Sequence, residues 1–296
     1  MDKNKNTVSE PESVWGGNWT EKKLDVFKKY VQAYLTIMAK NPYWETIYFD
    51  GFAGSGNRKG KENVAVLRKL FSDDEINDSY KGAAERIVSL DLSFDYYYFI
   101  DTNLKSLKKL ENKLKPYTEK KKILFRPGDC NHWLWELSDV MKREPERYAA
   151  LVLLDPFGMQ INWDSIASLQ NTRTDIWILV PTGVIVNRLL DKKGELKHLE
   201  KLESFFGMNK EELKQYFYTE KKYNTIFGEQ SIIRKVNNPI EKIAELYIKR
   251  LNDIWKFVTK KPLILRNRKN VALFHFVFAS NNATALNISK QIIRGL

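Results

Sequence analysis

The residues best suited to chemistry recur at one kind of place, the end of an apolar run. Tyr48-Phe49-Asp50 leads straight into Gly51-Phe52-Ala53-Gly54-Ser55-Gly56. Small residues there let the backbone approach a ligand closely. Ile100-Asp101 ends a second run, Gly128-Asp129 follows a third, and Leu154-Asp155-Pro156 ends a fourth. In a parallel sheet these carboxylates share the edge where open α/β folds bind ligands. An acid after the second strand suits ribose hydroxyls, one after the third an adenine amino group, and one after the fourth the reacting group. Each aspartate alone is equally explained by its preference for strand ends and helix caps. The ordered series of four argues for a site.

Two rival phosphate-binding motifs fail on spacing. A dinucleotide fingerprint starting at Gly54 needs glycine where Lys59 stands. A P-loop ending at Gly60-Lys61 needs glycine at Ser55 and a hydroxyl residue at Glu62.

The elements that must carry these residues alternate. Leu24, Phe27, Val31, Tyr34, Leu35 and Met38 follow helical spacing after Thr20, a candidate N-cap, and Asn41-Pro42 ends that helix. Strands are predicted at Thr46 to Asp50, Tyr96 to Ile100, Lys122 to Phe125, Ala149 to Leu154 and Asp175 to Val180. Helices fall between them at Val64 to Phe71, Leu104 to Leu114, Asn131 to Met141 and Trp163 to Leu169. Such alternation predicts an α/β, doubly wound, mostly parallel Rossmann-like sheet. Residues 183–238 read as a charged, aromatic helical insertion with no clear strand. A helix from Ile240 to about Val258, strands Leu263 to Leu265 and Val271 to Ala279, and a helix Thr284 to Ile293 follow, the last strand antiparallel. The division is a flexible tail (1–18), a core domain (19–182 and 239–296) and the insertion (183–238).

The 296 residues carry a formal charge of +12, which fits a polyanionic partner and equally a lysine-rich soluble surface. No run approaches the ~20 apolar residues of a membrane span, and the polar start lacks a secretory apolar region. With one cysteine, Cys130, an internal disulfide is impossible, and the expected location is cytoplasmic. His132, His198 and His275 show no metal spacing, so no metal is expected, and His275 reads as a satisfied strand residue. Cys130 reads chiefly as packing, although its backbone N–H is placed to meet a ligand ring.

Positive charge concentrates at Arg58-Lys59-Gly60-Lys61, at Lys120-Lys121-Lys122, and from Lys260-Lys261 through Arg266, Arg268 and Lys269. The lysine trio lies at the amino end of the third strand and reads as a solvated run. The other two are placed to hold a phosphate backbone or to face solvent. Tyr216, Phe217, Tyr218 and Tyr223 stand among lysines in the insertion. They suit an amphipathic helical core better than stacking on unpaired bases. Asn187 and Arg188 either contact substrate or cap and pair a helix.

Asp50-Gly51-Phe52-Ala53-Gly54-Ser55-Gly56 resembles the first motif of class I S-adenosylmethionine-dependent methyltransferases, especially nucleic-acid methyltransferases. More narrowly, the chain resembles the three-Cys-motif partner family. The matching residues are Trp19-Thr20-Glu21-Lys22-Lys23-Leu24, the glycine motif with Phe49, Leu154-Asp155-Pro156-Phe157-Gly158-Met159, Asn187-Arg188-Leu189-Leu190 and Leu265-Arg266-Asn267. This covers Trp19 to about Ile293. The resemblance implies a methyltransferase sheet, S-adenosylmethionine as cofactor, and a partner protein with a three-cysteine motif. It assigns Asp50, Gly51, Phe52, Ala53, Gly54 and Gly56 to the methionine end, Asp101 to the ribose, and Asp129 with Cys130 to the adenine. Asp155, Pro156 and Phe157 become the catalytic segment, and Asn187, Arg188, Arg266 and Arg268 the substrate side.

Amino-group methyltransferases carry an acid, two prolines and an aromatic. Here Phe157 replaces the second proline and Gly158 the aromatic. Phe157 then either stacks on an acceptor base or packs in the core. The expected activity is methyl transfer to a nucleic-acid base; the alternative is a non-catalytic nucleotide- or nucleic-acid-binding partner of the three-cysteine protein. Methylation of a small molecule or protein is a third reading, disfavoured by the charge.

Overall fold

The computed structural model describes residues 18–54, 83–156, 158–225, 228–267 and 269–295. Residues 1–17 of the expected tail and the helix Val64 to Phe71 therefore lie outside the described residues. So do Ser55, Gly56, the Arg58 to Lys61 run, Phe157 and Arg268.

Helix α1 (Asn18–Met38) precedes strand β1 (Glu45–Asp50). It is already helical at Asn18, two residues before the expected cap Thr20. Then follow β2 (Tyr96–Asp101), α2 (Leu104–Leu114), β3 (Ile123–Pro127), α3 (Cys130–Arg143), β4 (Tyr148–Leu154), α4 (Trp163–Ala167) and β5 (Thr174–Val180). These five strands pair in parallel in the order β3-β2-β1-β4-β5. Strand order reverses between β1 and β4, where Asp50 stands opposite Leu153.

The sheet is buried on both faces, so β4 is apolar almost throughout. Phe49, Val152 and Leu154 pack against Leu134 and Leu137 of α3 on one side. Tyr48, Leu151 and Leu153 pack against Phe27 and Val31 of α1 on the other. Two-residue alternation sends neighbours in one strand to opposite cores.

The chain leaving β5 forms a turn of π-helix at Thr182–Val186. It continues through α5 (Leu199–Phe206) and α6 (Lys210–Phe217), the latter started by a capping box between Asn209 and Glu212. The insertion then departs from expectation. β6 (Tyr218–Thr225) and β7 (Gly228–Lys235) form an antiparallel ribbon. Much of the ribbon is exposed on both faces, so its sequence lacks the polar–apolar alternation that marks a strand.

Helix α7 (Pro239–Asn252) is shorter than the expected Ile240 to Val258 run. Phe257–Val258 leaves it as β8 to pair with β10. β9 (Leu263–Arg266) and β10 (Ala272–Ser280) extend the sheet, with β10 antiparallel to β5, and α8 (Ala283–Arg294) closes the chain. Among the described residues no helix is long and apolar enough to cross a membrane.

Candidate functional site

The strand-end carboxylates meet where strand order reverses, beside a cleft of about 220 Å³. Gly51, Phe52, Asp101, Thr102 and Asp129 line it together with Gly128, Cys130 and Gln160.

The loop after β1 is fixed by the end of β2. Ala53 N donates to Ile100 O at 2.9 Å and Gly54 N donates to Asp101 Oδ2 at 3.1 Å. Asp101 Oδ1 accepts from Asn103 N at 2.6 Å, which opens the turn into α2. A side chain at Gly54 would press on the backbone of Ser106 and Leu107, 3.3 Å away. At Gly51 a methyl group would collide with Cys130 Sγ and lie 2.8 Å from Leu154 Cδ2. Cys130 is buried and burial pushes its thiol well up, so its side chain serves packing.

Asp50 is buried, its Oδ1 accepting from Phe52 N at 3.1 Å and its Oδ2 from Tyr48 Oη at 3.4 Å. Burial, reinforced by the charges of Asp155 and Asp101, pushes its carboxyl up to about 7. Asp129 is exposed and caps α3 by accepting from Asn131 N at 2.9 Å.

Asn131 locks the far end of the cleft. Its Nδ2 donates to Asp129 Oδ1 at 3.0 Å and to Gln160 O at 2.8 Å, while its Oδ1 accepts from Asn162 N at 2.8 Å. The loop after β4 is thereby held against the start of α3. Gln160 Oε1 is buried and has no hydrogen-bond partner among the described residues, an acceptor suited to a ligand N–H.

Asp155, at the end of β4, is buried and accepts from Lys23 Nζ at 2.5 Å. Lys23 lies on α1 with a side chain only 3% exposed. It was not among the expected site residues. The signal was present: Lys23, Phe27 and Tyr30 share the helix face that is otherwise apolar. Pro156 and Gly158 are buried beside Asp155.

The remaining candidates separate. Asn187 lends its O and Oδ1 to Lys235 Nζ at 2.6 and 2.7 Å, and Leu190 O accepts from the same ammonium at 2.6 Å. Burial lowers Lys235 to about 8. Asn187 thus anchors the ribbon, while Arg188 is exposed. Arg266 Nη1 donates to Asn270 O at 2.9 Å, closing its own turn. Register places that turn on the cleft's edge, since His275 stands opposite Val180.

His275 Nδ1 pairs with Thr182 Oγ1 at 2.8 Å, and burial lowers its imidazole to about 4. The lysine trio is not uniformly solvated: Lys121 Nζ donates to Val88 O and Leu90 O at 2.6 and 2.8 Å, holding the end of helix 83–88. Of the four insertion aromatics, Phe217 and Tyr218 are buried and Tyr216 is partly so, but Tyr223 is exposed on the ribbon.

A larger opening of about 640 Å³ lies on the opposite edge, around Arg173, Asp175 and Asn281. Asp175 there is engaged by Tyr30 Oη at 2.7 Å and Ser280 Oγ at 2.5 Å. It lacks the series of strand-end acids.

No protein-family model matches the chain, and no curated protein matches it significantly. Among solved structures, the chain is similar to protein LPL1258 from Legionella pneumophila str. Philadelphia 1, of family-model DUF519. Identity is 12%, the alignment covers 88% of this chain and 97% of that one, and the TM-score is 0.36.

Proposed function

We propose that the chain is an S-adenosylmethionine-dependent methyltransferase acting on nucleic acid, at a base. The observation that supports this best is the convergence of Asp50, Asp101, Asp129 and Asp155 on the edge where strand order reverses, with a tightly packed glycine loop between them. The residues present suit the cofactor. Asp50 offers a carboxylate to the methionine ammonium and Asp101 faces the ribose. Asp129, the Cys130 backbone and the orphaned Gln160 oxygen lie at the adenine end. Bound there, the cofactor supplies an electrophilic methyl group on sulfonium.

What the chain must then do is hold and orient. Lys23 holds the Asp155 carboxylate fixed in direction, so it can accept from the acceptor N–H and align the lone pair. The net charge of +12 supports a phosphate-bearing substrate. The motif resemblance supports a partner with a three-cysteine motif, and the single cysteine supports a cytoplasmic setting.

A second reading is nucleotide binding without transfer. It is favoured by the Lys23–Asp155 pair, which already occupies the carboxylate, and by Gly158 where an aromatic is customary. Calorimetric titration with S-adenosylhomocysteine tests the common element of both readings. Transfer of labelled methyl from S-adenosylmethionine to cellular RNA and DNA separates them. No binding at millimolar ligand would defeat the cofactor assignment.

A further inference from the structure

We propose that the outward face of the β6–β7 ribbon binds unpaired nucleotides. The inference rests on the nucleic-acid reading above and names both the form of the acceptor and the surface that holds it. Pairing sets Thr219 opposite Arg234, Lys221 opposite Ile232 and Tyr223 opposite Gln230. Alternation therefore gathers Lys221, Tyr223, Ile232 and Arg234 on one face. All four are exposed, Tyr223 by 43% and Ile232 by 45%.

The other face touches the protein at the ribbon's foot. Tyr218 is buried there and its Oη donates to Asp191 O at 2.8 Å. Gly194, with φ of +73°, brings the backbone against Tyr218 and Ile233, leaving 3.2 Å from an added methyl to Ile233 Cγ2. Glu220 also points to that side, by its register with Ile233. The outward face so keeps its cations apart from this acid, and neither Lys221 nor Arg234 is in a salt bridge among the described residues.

Solubility explains the cations but not an exposed tyrosine and isoleucine beside them. A ring with positive charge running away on one side, Lys221 next and Arg234 beyond it, is a stacking platform with phosphate contacts beside it. Such a ring reaches a base only where the base is unpaired. The location fits an acceptor arm. Lys235, at the ribbon's foot, is tied to Asn187 and Leu190, in the chain that leaves the carboxyl end of β5. The same edge of the sheet carries Asp50, Asp101 and Asp155.

The test is fluorescence anisotropy with labelled single-stranded RNA and DNA of ~12 nucleotides, about the span of one such platform, and with the matching duplexes. Full-length wild type, Lys221→Glu with Arg234→Glu, Tyr223→Ala and Tyr223→Trp are compared, each also titrated with S-adenosylhomocysteine. The charge-reversed protein should bind single strands at least tenfold more weakly, with a shallower salt dependence. Tyr223→Ala should weaken single-strand binding about tenfold without changing the salt slope, and Tyr223→Trp should retain it. Equal affinity across the variants, duplexes bound as tightly as single strands, or no wild-type binding at low salt would each overturn the proposal. The last result would leave the face to a protein partner. Cofactor binding without ribbon-dependent nucleotide binding defeats the ribbon alone. Ribbon-dependent binding in a protein that ignores S-adenosylhomocysteine defeats the cofactor assignment alone.

Discussion

Lys23 and Asp155 are 132 residues apart in sequence and form a buried ion pair, Nζ to Oδ2, at 2.5 Å. The pair ties α1 to the end of β4, at the point where strand order reverses. Removing one member of a buried pair leaves a charge that the interior solvates poorly. Lys23→Met should therefore lower the unfolding free energy by ~3–5 kcal/mol. Lys23→Met combined with Asp155→Leu should lose clearly less, because no buried charge remains from the pair. Urea denaturation of these two variants and of Asp155→Leu alone, against wild type, measures this, and additive losses would show that the two charges do not act as a pair.

Gly51 and Cys130 make a second testable contact. A methyl group at Gly51 would collide with Cys130 Sγ and crowd Leu154. Gly51→Ala should cost about 1–3 kcal/mol by overpacking. Adding Cys130→Ala removes the sulfur and should recover part of that loss, although Leu154 remains. A double-mutant cycle by thermal or urea unfolding reads the coupling. Independent effects of the two substitutions would show that the backbone relaxes away from the contact.

Asp50 gives the pH dependence its sign. Its folded-state carboxyl titrates at about 7, whereas an unfolded aspartate titrates near ~3.9. Between these values the folded state holds the extra proton. This group then makes stability fall as pH rises from about 4 to about 7, with no further effect above that window. Asp50→Asn should remove that slope from the difference between unfolding curves across the range. If the methionine ammonium lies against Asp50, S-adenosylhomocysteine binding below pH 7 should also release a proton. Calorimetry in buffers of different ionisation heat detects it, and the release should vanish in Asp50→Asn.

The sheet and most of the cleft were legible in the sequence because both rest on local signals. Apolar runs of five to seven residues end in Asp50, Asp101 and Asp155, and each is followed by a turn or cap. The antiparallel place of β10 was also expected. The ribbon was not, because much of it is exposed on both faces and its sequence mixes lysines with β-formers. Asn131 and Gln160 escaped notice for another reason. Their importance comes from tertiary bonds that cross from α3 to the loop after β4, and neither residue type marks that bond in sequence. Asn187 looked available for substrate until Lys235, 48 residues on, was found to claim it.

Asp155→Ala should abolish methyl transfer while S-adenosylhomocysteine affinity stays within a few-fold of wild type. Asp155 is paired with Lys23, and the ribose and adenine contacts are assigned to Asp101 and Asp129, so those contacts should survive its loss. The carboxylate instead ends β4, where an acceptor would meet the methyl group. Orientation that is strongest in the transition state affects turnover more than ground-state binding. Lys23 supplies the control. Lys23→Arg keeps a cation near Asp155 and should retain part of the activity, whereas Lys23→Met should lose transfer even where it remains folded. Single-turnover transfer to nucleic acid, circular dichroism and cofactor titration are measured on each variant. Full activity in folded Asp155→Ala would remove that residue from the mechanism. Absence of transfer by the wild type to any nucleic acid, with cofactor bound, would favour nucleotide binding without chemistry as the role of the site.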